Sequence, residues 1–261
     1  MIIQFFIKEM FLGLIFTIFL VSILIVKYSD QFTYQNNYNV PMYHNAYLEN
    51  DYENVAIATI ATGGYSAHNL ITSLRKTGKW DKNIYVYTDF CSPNETNVIE
   101  LKNKGHFRSI NSKLFKMDIL KNTTEDYILY LDSDIKTLDT IDNFFQRIGP
   151  WKNICDVYLA PNMWYSTKKF IWNGGVIFAK RYRSEKFLNL WKKTIQDTNY
   201  RKLRDRSALK YVIESGDVNV CLMKNNIVKY AADISGNLDP NHKNPIFSHY
   251  VTRKTNVNKC V

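Results

Sequence analysis

Four cysteines are scattered through 261 residues, none at CxxC spacing and none with a histidine close by, which excludes the common zinc modules. Ten glycines and six prolines are too few for a collagenous chain. No internal repeat or low-complexity block is present. There is no helix-turn-helix and no RNA-binding signature, so nucleic acid is not an expected partner despite the basic charge. Long hydrophobic runs are missing as well, with one exception, which rules out a multispanning membrane protein.

What is present looks globular. Hydrophobic residues make up 46% and charged residues 22% of the chain. At 30.7 kDa it can bury a full core without metal or disulfide staples. Thirty-four Lys and Arg against 24 Asp and Glu leave a net charge of +10, which suggests an anionic partner of unspecified kind.

The exceptional run is Met10–Val26, which carries no charge; Lys8 and Glu9 precede it and Lys27 follows. Its length is at the lower end of the about 17–25 residues that cross a bilayer as a helix. The exit, Ile25-Val26-Lys27-Tyr28, offers no small-x-small cleavage site. Residues 1–27 are therefore expected to be an uncleaved transmembrane signal anchor, with a cleaved signal peptide as the alternative. Lys8 and the α-amino group favour a cytoplasmic N-terminus, against which Lys27 and Glu9 weigh. The expectation is a single-pass type II protein facing the Golgi or ER lumen. Residues 28–54, polar and rich in Asn, Tyr and Asp, read as a stem, and residues 55–261 as one domain. The sequons at Asn94 and Asn122 are compatible with a lumenal site. A lumenal domain would permit disulfides, and four cysteines allow three complete pairings.

Within the domain, strands are expected at Val55–Thr62, Ile84–Thr88, Tyr127–Leu131, Val157–Ala160 and Gly174–Ala179. Helices are expected at His68–Lys76, Asn94–Lys104, Lys113–Leu120, Phe187–Ile195 and Asp205–Ile213. This alternation predicts an α/β sheet, parallel at least in its first half. Ligand sites in open α/β sheets lie beyond the carboxyl ends of the strands. Two loops occupy such positions: the one after Thr62 and Asp132-Ser133-Asp134.

Asp132 and Asp134 follow the apolar strand YILYL directly. Two carboxylates at that spacing can converge on one hard divalent cation, which can bridge the oxygens of a diphosphate. A loop or helix-cap aspartate pair is the plain alternative.

The segments VAIATIATGGY, SKLFKMDIL, DYILYLDSDI, WNGGVIFAK, DRSAL and FSHY occur in this order between about Val55 and Lys254. That order resembles the nucleotide-sugar glycosyltransferases, in particular the retaining glycosyltransferase family 8 of glycogenin and the lipopolysaccharide galactosyltransferases. The resemblance implies a GT-A, Rossmann-like single domain that uses a UDP-sugar and Mn²⁺ (or Mg²⁺), commonly behind a type II anchor. It implies a nucleotide-binding edge at Thr59, Ala61, Thr62 and Tyr65. Lys113 matches the lysine that reaches the donor, and Lys116 is the competing choice one helical turn on. Asp132 and Asp134 match the metal ligands, with Ser133 between them at the donor, and His249 matches the histidine completing the metal site. Asn173, Gly174 and Gly175 match the segment against the donor sugar, where Asn173 is assigned a catalytic part; a turn or bulge before the strand VIFA is the alternative.

Two departures from the family stand out. Its Asp-Gln pair appears as Asp205-Arg206. Asp205 keeps the acid assigned to the reacting face, or serves as a helix N-cap. The family's closing H-x-x-G-x-x-K becomes His249 followed, without the glycine, by Arg253 and Lys254; the resemblance implies that one of these basic residues contacts the diphosphate, with a basic C-terminal surface as the alternative. The expected reaction is transfer of a hexose to a hydroxyl of a glycan, protein or lipid acceptor, with retention implied by the family alone. A catalytically decayed, membrane-tethered sugar-binding protein is the alternative, motivated by Arg206 and the altered ending. The net charge is concentrated: Lys180–Lys210 holds eleven Lys or Arg against Glu185, Asp197 and Asp205. The expectation is a face toward an acidic acceptor or anionic membrane, with a solvated helix face as the alternative.

Overall fold

The structure, a computed structural model, describes residues 54–62, 65–88, 95–102, 114–118, 123–148, 155–164, 169–197, 205–223, 227–230 and 244–249. All of these belong to one compact unit, Tyr52–Val261. The expected anchor at 1–27 and the stem, apart from Asn54, lie outside the described residues. Among those described, no helix is long and apolar enough to cross a membrane.

The strands are β1 (Val55–Ala61), β2 (Ile84–Thr88), β3 (Val98–Lys102), β4 (Tyr127–Leu131), β5 (Ile135–Thr137), β6 (Val157–Trp164), β7 (Lys169–Lys180), β8 (Val220–Leu222), β9 (Val228–Tyr230) and β10 (Phe247–His249). The helices are α1 (His68–Lys76), α2 (Ile141–Ile148), α3 (Glu185–Gln196) and α4 (Asp205–Glu214), with a further helical turn at 114–118. A seven-stranded sheet runs β3-β2-β1-β4-β7-β6-β8, and a small sheet runs β5-β10-β9. The β3-β2-β1-β4 half is parallel, as the alternation of elements predicts. Strand β7 breaks the pattern by pairing antiparallel with both β4 and β6.

Alternation along the central strands sends side chains to two separate cores. Val55, Ile57, Leu129 and Leu131 face α1 and α2, where Leu70, Leu74 and Phe144 meet them. Ala56, Ala58, Ile128 and Tyr130 face the other way, toward Phe187, Trp191 and Leu209 of α3 and α4. Each large apolar side chain so enclosed contributes about 1.5–3 kcal/mol. Burial on both faces explains why β1 and β4 read as continuous apolar runs.

One predicted helix is a strand. Val98 and Leu101, three apart, suggest a helix over Asn94–Lys104, but 98–102 form β3 at the sheet edge, paired parallel with β2. The deciding period is two: Val98 packs on the α1 side, Ile99 and Leu101 on the opposite side. A disulfide joins Cys155, just before β6, to Cys221 in β8, with Cα atoms 5.8 Å apart. Cys91 and Cys260 lie outside the described residues.

Candidate active site at the carboxyl edge of the sheet

Strands β1 and β4 run parallel with Ala58 opposite Tyr130, so both end at one edge of the sheet. Asp132 is the first residue past β4, and its backbone N–H donates to the Gly175 carbonyl of β7 at 2.8 Å. The chain turns there, with Ile135 N–H donating to the Asp132 carbonyl, and enters β5. Strand β5 pairs antiparallel with β10, and that register sets His249 opposite Ile135. His249 Nε2 consequently lies 2.9 Å from Asp134 Oδ1. One ligand atom from each of Asp132, Asp134 and His249 falls within 4.8 Å of the others. Opposed ligands of one hard divalent cation stand about 4–5 Å apart, so this spacing fits a shared ion. Two carboxylates with one imidazole suit Mn²⁺ better than Mg²⁺.

The electrostatics of His249 follow from these neighbours. Burial favours the neutral imidazole, but the hydrogen bond and charge of Asp134, with Asp132 behind it, favour the protonated ring more strongly. The balance raises its pKa, with Lys116 opposing.

Asp132 is held from a second side. The Tyr130 hydroxyl donates to Asp132 Oδ1 at 2.8 Å, and Lys116 Nζ stands 2.8 Å from the same oxygen. Lys116 also donates to the Gly174 carbonyl at 2.8 Å, and its ammonium lies 4.9 Å from the centre of the Tyr130 ring. It is 7% exposed, which is rare for lysine and is explained by these partners. Of the two competing lysines, Lys116 is therefore the one placed at the aspartates, while Lys113 lies outside the described residues. Sequence reasoning passed over Tyr130. The signal was available, because residues two apart on a strand share a face and Tyr130 precedes Asp132 by two.

Residues Asn173-Gly174-Gly175 form a break in β7. Leu159 of β6 pairs with Ile177, yet the next residue, Ala160, pairs with Asn173, so residues 174–176 bulge out of the ladder with β6, while Val176 stays paired with Leu131 of β4. The bulge lies inside β7 and not before it, and both glycines have reasons inside the protein. A Cβ on Gly175 would stand 2.7 Å from Asp132 Oδ2 and 3.0 Å from Asn173 Oδ1, and one on Gly174 would stand 2.9 Å from the Trp191 ring. Asn173 is buried; its Oδ1 accepts from Gly175 N–H at 2.7 Å, and its Nδ2 has no hydrogen-bond partner among the described residues.

The other predicted positions divide. Ala61 and Thr62 end β1 at this edge and are buried, and Tyr65 beyond them is 37% exposed. Thr59 pairs with Val86 inside the sheet and is fully buried, and its Oγ1, like Asn173 Nδ2, has no hydrogen-bond partner among the described residues. Ser133 is partly exposed between the two aspartates. Asp205 opens α4 as expected, and Arg206 beside it is exposed. Arg253 and Lys254 lie outside the described residues. Part of the basic excess of Lys180–Lys210 is answered by acids: Arg183 pairs with Asp156 at 2.7 Å, Lys192 with Asp118 at 2.8 Å and Lys210 with Glu214 at 3.5 Å. Arg201, Lys202 and Arg204 are outside the described residues.

No protein-family model matches the sequence, and no curated protein matches it. Solved structures do. The galactosyltransferase LgtC, crystallised with donor and acceptor sugar analogues, superposes with a TM-score of 0.54 at 12% identity, over 76% of this chain and 87% of LgtC. An active-site mutant of LgtC gives 0.52 at 12% identity, over 76% and 88%. The glycosyltransferase GlyE of Streptococcus pneumoniae TIGR4 gives 0.56 at 17% identity, over 76% of this chain and 55% of GlyE. At such identities the likeness speaks for the fold. With strands, bulge and aspartates in place, that fold is the GT-A fold of nucleotide-sugar glycosyltransferases, in a form that resembles family 8.

Proposed function

We propose that the protein is a metal-dependent glycosyltransferase that moves a hexose from a UDP-sugar to an acceptor hydroxyl, with retention at the anomeric carbon. The observation that carries this reading is the convergence of Asp132, Asp134 and His249 at the ligand-binding edge of a GT-A sheet. When bound, a divalent ion there would offset the charge developing on the departing diphosphate.

The chain's own residues do the rest. Tyr130 and Lys116 fix Asp132 by hydrogen bonds to one oxygen, Oδ1. The bulge holds Asn173 near Asp132, and its buried Nδ2, which has no partner among the described residues, is assigned to a sugar hydroxyl. Tyr65 offers an aromatic face to the base at the end of β1. Asp205, at the start of α4, is assigned to the reacting face of the sugar, and Arg253 or Lys254 to the diphosphate. Positioning supplies much of the catalysis in this scheme. Met10–Val26 would tether the enzyme as a type II protein facing the Golgi or ER lumen, a compartment in which the Cys155–Cys221 disulfide would persist. The acceptor class is a glycan, protein or lipid hydroxyl.

The test is a panel of nucleotide sugars given to the full chain with Mn²⁺, with released UDP or GDP as readout. Release from a UDP-sugar in the wild type and its loss in Asp134→Ala are expected. Undiminished turnover in Asp134→Ala would remove the metal assignment. Binding of UDP and Mn²⁺ without turnover of any donor would favour a decayed sugar-binding protein, the reading that Arg206 motivates.

A further inference from the structure

Lys116 works against a metal ion at this site. Its ammonium is buried, it lies 2.8 Å from Asp132 Oδ1, and the Gly174 carbonyl and the Tyr130 ring hold it there. The cluster therefore presents two carboxylates already answered by one fixed positive charge. A divalent ion arriving at Asp132, Asp134 and a neutral His249 leaves the pocket with excess positive charge. It also shares Asp132 with an ammonium that lies 2.8 Å from that carboxylate. Like charges that share one carboxylate repel strongly in a partly buried site.

A nucleoside diphosphate brings the missing negative charge. We infer that Lys116 makes metal binding at this cluster conditional on the donor's diphosphate, so that ion and nucleotide load as a pair and the empty enzyme holds the ion weakly. This rests on the function proposed above and adds to it a coupling between two ligands at one site. Such coupling is reciprocal: whatever UDP does for Mn²⁺ affinity, Mn²⁺ does for UDP affinity. Lys116 thereby acts on the ion through charge as well as by positioning Asp132.

The experiment measures Mn²⁺ affinity, from the electron paramagnetic resonance of the free ion, without activity as a readout. Full-length wild type, Lys116→Gln and Lys116→Arg are each titrated alone, with UDP and with uridine. In the wild type, UDP should tighten Mn²⁺ binding by about tenfold or more, and uridine should not. Lys116→Gln keeps a donor for Gly174 but loses the charge; it should bind Mn²⁺ alone about tenfold more tightly and lose most of the UDP effect. Lys116→Arg should behave as the wild type. Unchanged or weaker binding of Mn²⁺ alone by Lys116→Gln would overturn the inference and leave Lys116 as a support for Asp132 or a donor contact. Should Lys116→Gln not fold, equal Mn²⁺ affinity of the wild type with and without UDP overturns it independently. A wild type that binds no Mn²⁺ even with UDP would instead fail the metal-dependent function, and the inference with it.

Discussion

Asp134 and His249 are 115 residues apart in the sequence and 2.9 Å apart in space. The link between them is the short antiparallel pairing of β5 with β10, three residues on each side. His249 reaches the aspartates only through the pairing of these two distant segments.

A pH dependence follows from that contact. A metal ligand must be the neutral imidazole, and Asp134 raises the pKa of His249 above its ordinary 6.5. Protons therefore compete with the ion up to that raised value. Mn²⁺ affinity should climb as pH rises through it and level off above. His249→Ala should bind Mn²⁺ more weakly and lose the climb. In metal-free protein the sign reverses. The pair's stabilisation is complete below 6.5 and disappears as pH rises through the folded-state value. Calorimetric titrations at several pH values, with and without Mn²⁺, check both limbs.

The two glycines of the bulge should fail in different ways. In Gly175→Ala the new methyl meets Asp132 Oδ2 at 2.7 Å, so Mn²⁺ affinity should fall about 10–100-fold. In Gly174→Ala it meets the fully buried Trp191 at 2.9 Å, so the loss should be about 1–3 kcal/mol of stability. Denaturant melts and metal titrations on both variants separate the effects.

Glu125 is buried just before β4. Its Oε1 accepts from Asn83 Nδ2 at 2.7 Å and its Oε2 from Thr124 N–H at 3.1 Å. Burial opposes its charge, but these hydrogen bonds outweigh burial and lower its pKa below the ordinary 4.5. The charged form thus contributes stability above 4.5 that is lost as pH falls through the lowered folded-state value. Glu125→Gln should cost about 1–3 kcal/mol at neutral pH and flatten the acid limb of a stability-against-pH curve.

The Cys155–Cys221 disulfide closes a loop of 66 residues that includes the whole of β7, α3 and α4. Replacing both cysteines by serine should cost about 2–5 kcal/mol. Thermal melts with and without reductant test this, and the serine variant should lose its sensitivity to reductant at this pair.

Local chemistry made Asp132 and Asp134 legible, because an apolar strand ending in two spaced carboxylates is a pattern of adjacent residues. His249 was legible only through resemblance, since a lone histidine near a chain end carries no local signal. The strands β5, β9 and β10, three residues each, are too short for any period to declare them, and tertiary pairing fixes them. The same force makes Val98–Lys102, within the helix expected at Asn94–Lys104, the edge strand β3, where Ile84–Thr88 supplies a partner. In the sequence Lys116 is one of two lysines a turn apart. Only packing against Tyr130 and Gly174 distinguishes it as a buried contact of Asp132.

The bulge in β7 turns chain length into a control on the site. Residues 176–180 are registered against β4 and residues 169–173 against β6 beyond Leu159, so the bulge sits between two independently fixed rulers. Deleting one residue there cannot be absorbed by either ruler without turning every side chain on one of them to the opposite face. The spacing between Asn173 and Asp132 is thus held by a count of residues, and an insertion or deletion at this spot should be more damaging than most changes of side chain around it.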